Sequence, residues 1–238
     1  MSNYRDFYIK IAELNVRLLC DFPYAQRLCA DFITDAPDAD ITARVSKEEI
    51  ASEQANYAEG LFSDGYCEGI CLYRSIAERL PEFDGFVFHG AAVNINGHGV
   101  IFAAPSGVGK STHISLLFEN YPANVSIING DKPIIRQIDG DWRVFSSPWA
   151  GKEGWKENTS APLCSIVLLE RSDTNFIEEV SPKAFFDAIV RQVYLPRTPD
   201  EQILTFDLLD EMSRAVKFYR LGCNISNTAA ETSYNALK

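Results

Sequence analysis

Near the start of the chain, apolar residues alternate with polar ones in two phases. Ile9 and Ile11 belong to the first, and Leu14, Val16, Leu18 and Cys20 to the second. This predicts two half-buried strands that turn at Glu13 and form a hairpin. Ala25 to Ile33 reads as a short helix, Asp35-Ala36-Pro37-Asp38 as a turn, and Ile41, Ala43 and Val45 as another strand. From Tyr66 to Leu80 the residues Ile70, Tyr73, Ile76 and Ala77 recur at helical spacing, and Pro81 ends the run.

After Gly85 the strands and turns become denser. Phe86-Val87-Phe88 and Ala91 to Ile95 are strand-like, and Asn96-Gly97 is a two-residue hairpin signal leading into Val100 to Ala103. A helix from about Lys110 to Asn120 and a strand from Val125 to Ile128 follow. A second hairpin pairs Ile134 to Ile138 with Trp142 to Phe145 around Asp139-Gly140, and Ser165 to Leu169 is a further apolar strand. Ser181-Pro182 and Thr198-Pro199 each place a hydroxyl cap before a proline at the first helical position. They predict helices reaching Tyr194 and about Val216. Phe218 to Leu221 reads as a last strand and Thr228 to Leu237 as a last helix.

The change of texture divides the chain near residue 85. Residues 1–84 read as a small N-terminal α+β lobe without recognisable chemistry, suited to shaping a substrate site or an oligomer contact. Residues 85–238 read as a second domain, whose function rests on the loop at Ala104 to Thr112. The fold class is α/β, of the α+β kind with mixed sheets. With 238 residues and 46% hydrophobic content there is ample material for a core. A net charge of -11 argues against a nucleic-acid partner, whose phosphates are neutralised by Lys and Arg. The first residues, Met1 to Lys10, lack the uncharged apolar run of a signal peptide, and no segment approaches the roughly 20 apolar residues of a membrane span. The expectation is a cytoplasmic protein that uses no membrane, with its six cysteines as buried free thiols.

The most specific chemistry lies at Ala104 to Thr112, A-P-S-G-V-G-K-S-T, between an apolar strand and a helix. In such a loop glycines let backbone N–H groups turn inward around a polyphosphate, the lysine adds a cation and the following hydroxyl reaches a Mg²⁺ on the same phosphates. Here these parts fall on Ser106, Gly107, Val108, Gly109, Lys110, Ser111 and Thr112. Ala104 stands where the G-x-x-x-x-G-K-[ST] pattern has its first glycine.

Three further groups surround the loop in sequence. Asp131 closes the strand after the loop helix and suits a metal carboxylate or a proton acceptor, with a simple turn Asp as the alternative. His89-Gly90 follows the strand at Phe86 to Phe88, where a histidine can orient a nucleophile or act as a base, or merely hold structure. Ser147 to Lys156 mixes turn formers, Trp149, Trp155 and Lys152, and reads as a loop over a ligand, or as one anchored by its tryptophans. Lys152 and, more weakly, Arg136 and Arg143 are candidates for phosphate or anionic substrate. His98 is expected at the surface and His113 in packing. Asn158-Thr159-Ser160 and Asn224-Ile225-Ser226 match the glycosylation pattern, which means little without a secretory leader.

Taken together, His89-Gly90, a hairpin, A-P-S-G-V-G-K-S-T, I-N-G-D-K-P and S-P-W-A-G-K-E resemble the HPr kinase and phosphoenolpyruvate carboxykinase superfamily, closest to its HPr-kinase-like branch. The resemblance covers roughly residues 86–235. It implies a P-loop kinase core in which Ser106 to Thr112 bind ATP phosphates, Ser111 and Asp131 bind Mg²⁺, and His89, Asp131 and Lys110 carry catalysis. HPr kinases have two adjacent acids where this chain has Gly130-Asp131. The expected function is an ATP-Mg²⁺-dependent phosphotransferase acting on a hydroxyl of a peptide, protein or small molecule. The alternatives are a non-catalytic nucleotide sensor and an enzyme with another phosphoryl donor. A homo-oligomer is compatible with either.

Overall fold

The computed structural model describes residues 5–238. Met1 to Tyr4, part of the stretch read for a leader, lie outside the described residues. The predicted first hairpin is β1 (Arg5–Ile11) against β2 (Leu14–Cys20), paired from Arg5 with Cys20 to Ile11 with Leu14. Its turn uses Ala12 (φ 48°) and Glu13 (φ 63°), a left-handed pair without glycine. Helix α1 (Pro23–Leu28) is shorter than predicted, because a turn of 3₁₀ helix over Ala30–Phe32 tucks Phe32 inward before Ile33 starts β3 (Ile33–Thr34). With β4 (Ile41–Arg44) these strands make a four-stranded sheet in the order β3-β1-β2-β4.

Helix α2 (Lys47–Gln54) has no counterpart in the hydrophobic pattern, since only Ile50 and Glu53 of its residues are buried. A capping box starts it: the Ser46 side chain accepts from the Glu49 amide, and the Glu49 carboxylate accepts from the Ser46 amide. Helix α3 (Asp64–Arg79) buries Leu72, Tyr73, Ile76 and Ala77 against the sheet, as its spacing requires.

The remaining strands form one nine-stranded mixed sheet. Its members are β5 (Gly85–Val87), β6 (Ala91–Ile95), β7 (His98–Ala103), β8 (Val125–Asn129), β9 (Ile134–Ile138), β10 (Asp141–Phe145), β11 (Ser160–Arg171), β12 (Phe176–Val180) and β13 (Lys217–Cys223), with α4 (Lys110–Asn120), α5 (Pro182–Val190), α6 (Pro199–Ala215) and α7 (Asn227–Leu237) packed on it. Strand β11 organises the sheet and runs well beyond the predicted Ser165 to Leu169. Its start pairs antiparallel with β10, while its later part lies parallel to β7 on one side and β13 on the other. Strand β12 escaped the sequence pattern because it is an edge strand with Glu178 and Glu179 exposed. The helix predicted to reach Tyr194 stops at Val190. Val193 instead bridges Phe88, and the Tyr194 amide donates to the Val87 carbonyl.

Period-two alternation fills two apolar layers. Ile101 and Ala103 of β7, Ile166 of β11 and Phe218 of β13 face one cluster with Leu208, Leu209 and Met212 of α6. Val100, Phe102, Val167 and Leu221 face the other, with Ile114 and Leu117 of α4 and Ala229 and Ala230 of α7. The molecule is therefore mixed α/β, with helices on both faces of the large sheet. A third cluster under the four-stranded sheet also takes in Val87, Ile134, Phe145 and Tyr194, so residues on both sides of position 85 share it. Among the described residues no helix is long and apolar enough to cross a membrane.

Candidate active site

The glycine loop leaves the carboxyl end of β7, where Phe102 and Ala103 are fully buried, and enters α4 at Lys110. Gly107 (φ 79°) and Gly109 (φ 120°) occupy backbone conformations that a side chain disfavours, although a Cβ at either would meet no atom within 4 Å. The glycines are thus needed for backbone conformation, not for room. Ala104 is outside the left-handed region and buried, so its methyl group fits where the pattern has glycine. Gly109 caps α4 with no side-chain hydrogen bond, leaving the first-turn amides of α4 free to meet an anion. The Arg171 guanidinium, at the end of β11, donates to the carbonyls of Gly107 and Val108 and ties the loop to the sheet.

Asp131 is held from every side. The buried Asn129 accepts from the amides of Asp131 (2.9 Å) and Lys132 (2.7 Å) through its side-chain oxygen and donates its Nδ2 to the Ser147 carbonyl, which pins the turn after β8. The Asp131 carbonyl accepts from the Gly90 amide. His89, whose amide donates to the Gln192 carbonyl, places Nε2 3.2 Å from Asp131 Oδ1, and Lys132 Nζ lies 3.1 Å from Oδ2. Burial pushes the Asp131 carboxyl up, but the His89 hydrogen bond and the Lys132 charge outweigh it and hold the group at about 2. The Lys110 ammonium is pushed down by burial and by Lys132, and drawn back up by Asp131 and Glu153. The loop lysine therefore sits in the field of both acids.

Glu153 is the group that sequence reasoning passed over. It accepts a 2.9 Å hydrogen bond from the Ser111 hydroxyl, although the two residues come from opposite ends of the site. The Ser147 to Lys156 segment brings it there by zipping onto β8: the Gly130 amide donates to the Trp155 carbonyl, and Asn129 bridges Lys156. That contact also accounts for Gly130. A Cβ there would lie 3.2 Å from the Ala150 carbonyl and 3.3 Å from Trp155, and a Cβ on Gly151 would stand 2.9 Å from the Asp131 Cβ. The backbone that fills the space beside residue 130 carries an acid of its own.

The other candidates separate. Trp149 donates Nε1 to the Gly69 carbonyl and packs on Tyr73, and Trp155 meets Phe118, so both anchor the segment. Lys152 is exposed, 3.9 Å from Glu153. The Arg136 guanidinium donates to the carbonyls of Phe83 and Ala12, which joins β9 to the first hairpin, away from the loop. Arg143 donates to Ser160. His98 is at the surface. His113 is buried, with Nε2 3.0 Å from the Ser233 hydroxyl, and burial pushes its ring down to about 4.

Lys132 and Arg171 were also overlooked. Lysine before proline reads as a turn, and an arginine ending a strand reads as solvated; only the parallel pairing of β11 with β7 brings Arg171 to the loop. Among the described residues no three His, Cys, Asp or Glu side chains group as a metal site. The oxygens of Ser111, Asp131 and Glu153 suit a small hard cation that takes the rest of its shell from phosphates and water, as Mg²⁺ does.

No family model matches the chain, and no curated protein matches its sequence. Among solved structures it is similar to the HPr(Ser) kinase/phosphatase from Coxiella burnetii, at 11% identity and a TM-score of 0.37, over 63% of this chain and 95% of that one. At that level the functional reading rests on the residues themselves.

Proposed function

We propose that the protein is an ATP-Mg²⁺-dependent phosphotransferase that phosphorylates a hydroxyl on a peptide, protein or small molecule. The observation that carries this reading is the convergence of Lys110 with Asp131 and Glu153, the first acid held ionised by His89 and Lys132, the second hydrogen-bonded to Ser111. Phosphoryl transfer needs little more than positioning and neutralised charge. The amides of the glycine loop and Lys110 hold the β- and γ-phosphates. Ser111, Asp131 and Glu153 would hold Mg²⁺, which supplies charge neutralisation on the transferring group when bound.

The acceptor oxygen attacks the γ-phosphorus and the bond to the β,γ-bridging oxygen breaks, releasing ADP. The acceptor proton passes to Asp131 or, through it, to His89, whose ring is partly exposed. The sensor reading drew its support from Gly130. Glu153 weakens it by supplying a second acid from another segment.

The test is a panel of hydroxyl acceptors, peptides and small alcohols, with γ-labelled ATP. Transfer that disappears in Asp131→Asn and depends on Mg²⁺ supports the assignment. Tight ATP binding with no transfer to any acceptor returns the protein to the sensor class.

A further inference from the structure

The turn between α2 and α3, the start of α3 and helix α1 carry a row of aromatic side chains that the reaction centre does not use. Tyr57 meets Phe62 edge-on with ring centroids 4.7 Å apart, Phe62 stacks on Tyr66 at 4.3 Å, and Tyr66 meets Tyr24 at 5.8 Å. All four are half-buried, and Tyr57, Phe62 and Tyr66 rest on the cluster under the four-stranded sheet. Leu61, 60% exposed beside Phe62, extends the apolar row. An open hollow lies at each end. One, of about 340 Å³, is walled by Tyr57 and Phe62, and the other, of about 460 Å³, by Phe22, Pro23 and Tyr24.

The rings are fixed before anything binds. Gly65 and Gly69, one turn apart on α3, let Tyr24 lie across the helix: a Cβ at Gly65 would stand 3.0 Å from the Tyr24 Cβ, and one at Gly69 3.1 Å from its ring. Tyr57 donates its hydroxyl to Glu53 Oε1 at 2.8 Å, and Gln54 donates to Asp64, which joins α2 to α3. The Tyr24 and Tyr66 hydroxyls, by contrast, have no hydrogen-bond partner among the described residues.

We propose that this row docks a proline-rich, basic segment of a partner protein. A polyproline II segment makes no hydrogen bonds of its own, so its carbonyls need outside donors while its rings pack between aromatic side chains. The two hollows take prolines, and the free hydroxyls of Tyr24 and Tyr66 meet the carbonyls between them. Glu59 on the first hollow and Asp64 on the second are exposed and without an ion pair among the described residues. Arg27 also lines the second, so a basic residue of the partner is favoured most at Glu59. A second copy of this chain would bring a net charge of -11 to the same acids, which opposes self-association here. The groove lies on the helix that anchors the reaction centre, since the Gly69 carbonyl accepts from Trp149 of the Ser147 to Lys156 segment. The inference does not depend on the phosphate-site reading.

Fluorescence anisotropy with two labelled dodecapeptides of equal charge, four repeats of Arg-Pro-Pro and four of Arg-Ala-Ala, tests it. The wild type is expected to bind the proline peptide at least about tenfold more tightly than the alanine peptide. Tyr24→Phe combined with Tyr66→Phe keeps the rings and removes the donors, and is expected to weaken the proline peptide by about fivefold or more with unchanged circular dichroism. Glu59→Lys, at an exposed position, is expected to weaken it as well, by an amount that shrinks at high salt. No binding of the proline peptide, equal binding of the two peptides, or full affinity in the double variant would overturn the proposal. So would a dimer seen by sedimentation that Leu61→Asp dissociates, because a second copy would then own the row.

Discussion

The Ser111 hydroxyl donates a 2.9 Å hydrogen bond to Glu153 Oε1, joining the first turn of the loop helix to a segment 42 residues further along the chain. On the function proposed above, this hydroxyl and carboxylate, with the half-buried Lys110 nearby, would form part of a magnesium-phosphate shell. Removing the charge while keeping the shape tests that role. Glu153→Gln is expected to weaken Mg²⁺-ATP binding by about tenfold or more, with ATP affinity in EDTA unchanged and the melting temperature within a few degrees of wild type. Titration of ATP across a range of Mg²⁺ concentrations reads it directly.

Gly130 offers the converse experiment. On the function proposed above, Gly130→Asp would add a second carboxylate beside Asp131. The Ala150 carbonyl and Trp155 leave a side chain too little space, so the substitution is expected to cost roughly 1–3 kcal/mol of stability and to bring no gain in transfer. Urea unfolding together with a transfer assay checks both halves, and a stable variant with raised activity would mean that Glu153 does not already supply the second acid.

Residues that precede Gly85 reach the Glu153 segment through Lys156. Its ammonium donates to the Leu28 carbonyl at 2.7 Å, lies over the Phe32 ring and is largely buried. Lys156→Met retains most of the packing and removes the charge-assisted bond, for an expected loss of about 1.5–3 kcal/mol. Because the same segment carries Glu153, Mg²⁺-ATP affinity should fall with it. Loss of stability at full affinity would show that this contact does not position the acid.

A buried group and a partly buried one make stability sensitive to acid. His113 is held neutral, its ring pushed from 6.5 to about 4 by burial, so between those values the unfolded chain binds a proton that the folded one refuses. Its contribution is complete above about pH 6.5 and is lost as pH falls toward 4, on the order of 3 kcal/mol in all. Asp131 is pushed from 3.8 to about 2, so its contribution is present above 3.8 and is lost on further acidification. Unfolding free energy measured against pH should therefore decline in two steps, and His113→Gln should remove the upper one.

The local signals in the chain were those with short reach. Asn96-Gly97 and Asp139-Gly140 adopt the left-handed turns their dipeptides favour, and the glycine loop sits between strand and helix as its pattern demands. The Ala12-Glu13 turn carries no such dipeptide, yet the alternation on either side fixed its place, because a one-residue slip would turn every apolar side chain outward. What stayed hidden was set by contacts far apart in the chain. Nothing local marks Glu153 as the partner of Ser111, Arg171 as a clamp on Gly107 and Val108, or Arg136 as a tether for the first hairpin. Each is a charged residue in a polar stretch, and only the pairing of β11 with β7, the zipping of Trp155 onto Gly130 and the packing of the first hairpin on β9 give it a partner.

The central claim, that Lys110 and the glycine loop hold a nucleotide polyphosphate for transfer from the Asp131 side, is tested most directly by label transfer from γ-labelled ATP to an acceptor found in the hydroxyl panel. Wild-type protein is expected to transfer label in Mg²⁺, and Lys110→Ala to lose at least about a hundredfold in rate while remaining folded. Undiminished transfer by Lys110→Ala would contradict the account.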